Sequence, residues 1–267
     1  MQALSPDDVE TVRQALDVDG YAVLRGVVST SRLNEFNRDL SAEFERFRAA
    51  GKLFEGGGTL SGHLNCYPGA GSKVIYDEIV DHGIVDMIRE IEPSKVDDVR
   101  PTLNFNLPGS VAQFYHMDGL YVEPFIICNV AVVDTDLDNG ALDVVPGTNR
   151  RFYRFCRFAV ERKHRLSTRV CLDQGDVILR LSTTWHRGMP NKTSQPRPMM
   201  SLTFGEGVAG EGDPFERNGG EIEFYPNWYK TNRIGRLRER IFVAAPWTDS
   251  AFRFGRSLFS NRGFESW

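Results

Sequence analysis

The 267-residue sequence predicts a mainly β protein, an antiparallel sandwich or barrel with α-helices flanking it on the N-terminal side. Three observations carry that reading. From Thr102 onward, short β-rich runs alternate with turns built from Gly, Pro, Asn and Asp. The first hundred residues instead show helix-start residues and helical periodicity. Hydrophobic residues at 41% and charged residues at 25% are the proportions of a chain that can bury a core.

The elements follow in order. "SPDDVETVRQAL" offers Ser5 as an N-cap, Pro6 at the first helical position and acids in the first turn, where unpaired N–H groups favour negative charge. "GYAVLRGVV" has the content of a strand. In "STSRLNEFNRDLSAEFERFRAAGK", Leu33, Phe36, Leu40, Phe44 and Phe47 fall on one helical stripe. Lys52 to Lys73 is rich in Gly and reads as a long ordered loop near a ligand, because such loops in compact domains tend to be functional. Its "GAGSK" lacks the GxxxxGK[ST] spacing of a phosphate loop. A short helix is expected around "EIVDHGIVDMIREIEP", followed by strands in "TLNFNL", "AQFYHMD", "FIICNVAVV", "ALDVVPG", "VCLDQGDVILRL" and "PMMSLTFGEG". We expect one domain over 1–267: a helical flank and loop over 1–100, the core over 101–210, and a covering segment over 211–267, most of whose aromatics are read as packing residues, with a dimer face or closure over substrate as the alternatives.

Composition narrows the function classes. No run reaches the roughly 18 apolar residues of a membrane span, and "MQALSPDDVE" lacks a signal pattern, so a cytoplasmic location is expected. The four cysteines form no CxxC pair, which argues against a zinc knuckle or a disulfide framework. Net charge is −4, yet "RRFYRFCRFAVERKHR" is strongly basic. Such a run is either a solvated face or a rim that attracts an anionic substrate. It also interleaves aromatics with arginines as nucleic-acid binders do. The acidic balance and the lack of a recognised motif argue against a nucleic-acid partner.

The chemistry centres on "QFYHMDGLYVEP". In a strand, His116 and Asp118 project to the same side while Met117 turns away, so both ligand atoms aim at one point. The pair alone does not define a site, since a buried His is more often a hydrogen-bonded core residue. Of the four other histidines, His186 ends the hydrophobic run "GDVILRLSTTWH" and precedes a turn. Two histidines and a carboxylate on one face of an octahedral ion leave three positions open, the arrangement of non-haem Fe(II) oxygenases. Two of these suit a bidentate 2-oxoacid and the third dioxygen. Arg197 lies 11 residues after His186, and its fork of donors suits the far carboxylate of that acid. Ser201 follows on the same strand face and offers a hydroxyl.

These blocks resemble the phytanoyl-CoA dioxygenase family of Fe(II)- and 2-oxoglutarate-dependent oxygenases. "DGYAVLRGVV", "QFYHMD", "DTDLDNGALDVVPGTNR" and "GDVILRLSTTWHRGMPNKTSQPR" carry the resemblance, which spans roughly Asp19 to Gly205. It implies a double-stranded β-helix, a jelly-roll or cupin-like barrel. It also implies His116, Asp118 and His186 as iron ligands and Arg197 as the oxoglutarate anchor. Thr135 matches a position that assists the anchor, and Gln113 and Asn106 match positions near the metal-bound carboxylate. The family's usual Pro-Gly-Ser-His is "PGTN" here, so Asn149 stands where a non-ligand His is usual.

The resemblance further implies Fe(II), 2-oxoglutarate and O2 as cofactor and cosubstrates. Halogenating relatives typically lose the carboxylate ligand, so Asp118 favours hydroxylation of an unactivated C–H bond, with succinate and CO2 released. Desaturation, ring formation and epimerisation share the same oxidising step. Substrate contacts are expected from His63, Asn65 and Tyr67 in the Gly-rich loop and from Tyr121 after the HxD. The basic run, if it overhangs the pocket, favours a small substrate bearing carboxylate or phosphate. The rival from another class is a non-catalytic metal- or ligand-binding barrel, which has no need of Arg197. A thermolysin-like zinc site or a serine hydrolase lacks its HExxH or GxSxG here.

Overall fold

A computed structural model describes residues 6–54, 58, 60–93, 99–205, 212–224 and 232–259. Helix α1 (Pro6–Val18) starts at the expected proline with Asp7 and Asp8 in its first turn. Ser5, the expected cap, lies outside the described residues. Helix α2 (Thr30–Ala49) buries Leu33, Phe36, Leu40 and Phe44, the stripe read from periodicity. The single helix expected near 78–93 is two, α3 (Lys73–Asp81) and α4 (Ile84–Ile91). Gly83 breaks them apart with φ 74°, a left-handed conformation that glycine adopts without steric cost. Among the described residues, no helix is long and apolar enough to cross a membrane.

Among the described residues, ten strands are interleaved with the helices: β1 (Tyr21–Leu24), β2 (His63–Tyr67), β3 (Val99–Asn106), β4 (Ile126–Ala131), β5 (Leu142–Val144), β6 (Thr168–Val170), β7 (Val177–Leu181), β8 (His186–Arg187), β9 (Arg197–Phe204) and β10 (Glu223–Phe224). Seven form one antiparallel sheet in the order β1-β7-β4-β9-β3-β2-β10, and three form a second in the order β6-β5-β8. Among the described residues, the pairing of the expected barrel's strands does not close the two sheets into one ring. The Gly-rich stretch read as a loop contains strand β2, which pairs with β3 from His63↔Asn106 to Cys66↔Leu103.

The large sheet has two different faces because side chains alternate along each strand. Cys128, Val130, Leu179, Met200 and Leu202 point to the face covered by α1 to α4, where they meet Leu16, Leu33, Leu40, Ile75, Ile79 and Ile88. Leu33 and Leu40 expose no surface, and burial of each contributes on the order of 2 kcal/mol. On the other face, Ala131, Ile178 and Met199 pack across to Val144 and Val170 of the small sheet. The space between the sheets is apolar at this end and polar at the other, where the candidate site lies.

The N-terminal helices are only part of the flank. Helix α5 (Phe155–Val160) lies within the basic run, and α6 (Arg233–Ala244) and α7 (Pro246–Phe259) build the C-terminal segment. Helix α5 docks on α7 through the Cys156 N–H, which donates to Ser257 Oγ at 2.9 Å.

Candidate metal centre

The HxD segment is not a regular strand. Residues 113–118 run beside 182–188 with a shifting register. The Gln113 N–H donates to the Gly188 carbonyl (2.9 Å), His116 and His186 exchange backbone hydrogen bonds (3.0 and 2.8 Å), and the Asp118 N–H donates to the Ser182 carbonyl (2.8 Å). The isolated bridge between His116 and His186 brings their ring centroids to 4.4 Å. Asp118 Oδ1 lies 3.6 Å from His116 Nε2, and its Oδ2 lies 3.5 Å from His186 Nε2. One ligand atom from each of the three residues falls within 4.8 Å of the others.

Backbone carbonyls fix where the imidazole protons sit. His116 Nδ1 is 2.9 Å from the Phe114 carbonyl and His186 Nδ1 is 3.0 Å from the Thr184 carbonyl. A carbonyl only accepts, so each Nδ1 carries the proton and each Nε2 turns a lone pair toward Asp118. Arg180 Nη1 also approaches His186 Nδ1, at 3.5 Å. Both groups are donors in this arrangement, and the shorter carbonyl contact decides the tautomer. Burial lowers the pKa of both rings, against the pull of Asp118, and keeps them neutral at pH 7.

Arg180, on β7, was not foreseen from the sequence. Its Nη2 lies 2.7 Å from Asp118 Oδ2, as an ion pair off the hydrogen-bonding axis. Burial alone would raise the Asp118 pKa, but the guanidinium overrides it and holds the carboxyl well below the usual range. Arg180 Nε in turn donates to Asn129 Oδ1 (3.0 Å), and Asn129 Nδ2 donates to Ser201 Oγ (2.6 Å). The Ser201 hydroxyl expected beside Arg197 is thereby engaged with Asn129. β4 lies between β7 and β9, so the row Arg180–Asn129–Ser201 crosses three neighbouring strands.

Arg197 opens β9 in register with Asn106, which is in register with His63. It is 4% exposed. Its Nη2 donates to the Gly140 carbonyl at 3.2 Å, while its Nε has no partner. Burial pushes its pKa down to about 10. A buried guanidinium without a counter-ion is costly, and a carboxylate ligand is the group that removes that cost. Gly140 makes the approach possible: at φ 96°, a Cβ there would sit 2.5 Å from Asn106 Nδ2 and 2.6 Å from the Met189 carbonyl.

The remaining expected residues divide. Asn106 donates to the Met189 carbonyl (3.0 Å) and leaves a buried Oδ1 unpartnered. Gln113 Oε1 accepts from the Gly188 N–H (2.8 Å). His63 donates from Nε2 to the Val111 carbonyl (2.7 Å), which leaves Nδ1 as a buried acceptor without a well-formed hydrogen bond. Burial lowers its pKa to about 4, with Arg197 and His116 adding to the effect. Thr135 spends its hydroxyl on the Val133 carbonyl (3.1 Å). Asn65 sits opposite Asn104 in the β2–β3 ladder. Tyr67 donates to the Pro214 carbonyl (2.9 Å) and Tyr121 to the Asn149 carbonyl (3.3 Å). Asn149 itself donates to the Leu16 and Asp17 carbonyls at the end of α1, a structural tie.

A cavity of about 520 Å³ is lined by Gln113, Phe114 and Arg187, chain neighbours of the cluster residues, and by His63, while His116, Asp118 and His186 are not among its lining residues. Asn65, Tyr67 and Tyr121 are not among its lining residues. The basic run does not overhang it either, contributing only Phe155. Arg151, Arg157 and Lys163 instead surround Glu161, at 2.9, 2.6 and 3.6 Å.

The donor set and surroundings fit Fe(II) and a 2-oxoacid: two neutral imidazoles with lone pairs presented, one carboxylate, and a buried cation lacking its anion. A family model for phytanoyl-CoA dioxygenase (PhyH) matches residues 16–199, more than two thirds of the chain. The chain belongs to that family, whose members are Fe(II)- and 2-oxoglutarate-dependent enzymes. Solved structures of similar fold include the epimerase SnoN in complex with Fe3+, alpha ketoglutarate and nogalamycin RO. It is 20% identical, with a TM-score of 0.57, covering 76% of this chain and 85% of that one. The carbocyclase SnoK from nogalamycin biosynthesis is 15% identical, with a TM-score of 0.55 and coverage of 75% and 83%. EvdO2 from Micromonospora carbonacea var. aurantiaca, complexed with 2-oxoglutarate, is 14% identical, with a TM-score of 0.52 and coverage of 76% and 91%. These likenesses place the fold in the jelly-roll class.

Proposed function

We propose that this chain hydroxylates an unactivated C–H bond of a small metabolite, with His116, Asp118 and His186 holding iron and Arg197 holding the far carboxylate of 2-oxoglutarate. The observation that carries the reading is Arg197, a buried cation whose Nε is unpartnered among the described residues and whose Nη2 donates to a carbonyl, with His63 within electrostatic reach of both Arg197 and His116. A barrel that only bound metal would gain nothing from it. Bound iron, 2-oxoglutarate and dioxygen supply the oxidant, with succinate and CO2 as co-products.

The chain's own contribution is geometry. The Phe114 and Thr184 carbonyls orient the two imidazoles, and Arg180 holds the Asp118 carboxylate. Asn106 and Gln113 offer polar side chains toward the metal-bound end of the oxoacid. The apolar layer between the sheets limits water on the inner side. SnoN is named an epimerase and SnoK a carbocyclase, so the oxidising step can be followed by different outcomes. Retention of Asp118 favours hydroxylation here.

The test is product analysis under heavy-oxygen gas with Fe(II), 2-oxoglutarate and a panel of small metabolites. Hydroxylation adds one labelled oxygen atom to the substrate and another to succinate. A product of unchanged mass, or one lighter by two hydrogens, contradicts it.

A further inference from the structure

The cavity lined by Gln113, Phe114 and Arg187 has one wall that lies beyond the residues of the family match. Its floor is the segment 111–115 that leads into His116, together with Arg187, which follows His186. Its roof is the α6–α7 pair, which contributes Arg238, Phe242, Val243, Asp249 and Arg253. Glu239 of α6 fastens that roof, since its Oε1 accepts from the Leu60 and Ser61 N–H groups, both at 3.2 Å. The Arg253 guanidinium lies over the Phe114 ring, whose centroid is 5.0 Å from that of His116. Phe114 thus stands between Arg253 of α7 and a candidate iron ligand.

Charge and shape in this cavity point to one class of occupant. Three arginines and two acids line it, and most of their charge is already committed. Glu239 is held by backbone donors, Asp249 takes Arg253 at 2.9 and 3.1 Å, and Arg187 donates to Asp143 at 2.9 Å. Arg238 has no ion-pair partner among the described residues; its ring contact is Phe252, at 5.9 Å. Arg238 and Arg256 also crowd Arg253, whose pKa burial already lowers. Of the three lining arginines, Arg187 and Arg253 are paired with carboxylates and Arg238 is the one without an ion-pair partner among the described residues. Phe114, Phe242, Val243 and Val111 supply the apolar remainder, and about 520 Å³ suits a ligand of drug-like size.

We propose that the α6–α7 pair reads the primary substrate as an amphipathic anion: an apolar body against Phe242, Val243 and Val111, and a carboxylate, sulfonate or phosphate against Arg238 at the rim beside Arg253. This rests on the oxygenase reading of the candidate metal centre. It moves the anion-recognising role from the basic run around α5 to the C-terminal helices.

A matched pair of fluorescent probes tests it: 1-anilinonaphthalene-8-sulfonate and its neutral analogue N-phenyl-1-naphthylamine. Each is titrated into the full chain loaded with Zn(II) and 2-oxoglutarate. The anionic probe is expected to bind saturably and more tightly than the neutral one. Arg238→Gln, an exposed position that folding does not need, weakens the anionic probe about tenfold and leaves the neutral one unchanged. Phe242→Ala weakens both. Equal affinity of the two probes for wild type, or an anionic-probe affinity that Arg238→Gln does not move, overturns the proposal. The Fe(II)–oxoglutarate absorption of the same proteins is read separately. If it forms normally while probe discrimination is absent, only this inference falls; if it fails to form in wild type, the oxygenase reading falls.

Discussion

Arg180 Nη2 lies 2.7 Å from Asp118 Oδ2, so a buried, permanent cation is paired with the carboxylate of the His-Asp-His cluster. The Asp118 side chain keeps 29% of its surface accessible, although Oδ2 itself is sealed, so the carboxylate can face the site while Arg180 grips it from behind.

Removing that grip has a predictable cost. Arg180→Met leaves Asp118 without a counter-ion and is expected to lower the stability of the metal-free protein by about 3 kcal/mol. A divalent metal replaces part of the lost positive charge, so metal stabilises the variant more than it stabilises wild type. Denaturant unfolding with and without Zn(II) measures both quantities. Equal losses in the two conditions would show that Arg180 matters only for packing.

The Arg180 pairing also shows why part of the site was hidden in the sequence. His116, Asp118, His186 and Arg197 stand out through side-chain chemistry and spacing. Arg180 sits inside "VILRL", and its partner is 62 positions away, so no local pattern marks it as inward-facing. Strand β2 was masked by the glycines around it, since Gly62 and Gly69 turn the chain with φ of 81° and 73° at either end of His63–Tyr67. The helical pair α6–α7 read mainly as aromatic packing, with a dimer face or closure over substrate as the alternatives. Its role in walling the cavity depends on the Glu239 clip to Leu60 and Ser61, a contact across about 180 residues. The basic run left two readings open, a solvated face or an anion-attracting rim: three of its cations gather on Glu161, and only Phe155 of the run lines the cavity.

Gly140→Ala tests the packing behind Arg197, the proposed oxoglutarate anchor. A Cβ at that position meets Asn106 Nδ2 at 2.5 Å and the Met189 carbonyl at 2.6 Å, in a backbone conformation with φ 96°. Relief requires moving the Gly140 carbonyl that accepts from Arg197. We expect a loss of about 2 kcal/mol in stability and at least a severalfold weaker 2-oxoglutarate affinity. Calorimetric titration with 2-oxoglutarate, alongside thermal unfolding, separates the two effects. Wild-type values for both would refute the tight approach.

Stability of the metal-free protein should fall in mild acid. His63 is held neutral by burial down to about pH 4, whereas in the unfolded chain it protonates near 6.5. Between those values the unfolded state takes up a proton that the folded state refuses. Stability therefore drops as pH falls through this window, by up to about 3 kcal/mol from this one group. His116 and His186 shift in the same direction. Above about pH 6.5 these groups contribute no slope. Denaturant midpoints from pH 4 to 8 check this, and His63→Gln is expected to flatten the curve below pH 6.5.

The most direct measurement is anaerobic absorption spectroscopy of the full chain with Fe(II) and 2-oxoglutarate. A chelating oxoacid on iron gives a visible metal-to-ligand charge-transfer band, and wild type is expected to show it. His186→Ala is expected to abolish the band by removing a proposed iron ligand. Arg197→Ala loses it at oxoglutarate concentrations that saturate wild type, yet regains it when the concentration is raised. Absence of the band in wild type, or its persistence unchanged in both variants, would contradict the assignment of this cluster as an iron and oxoglutarate site.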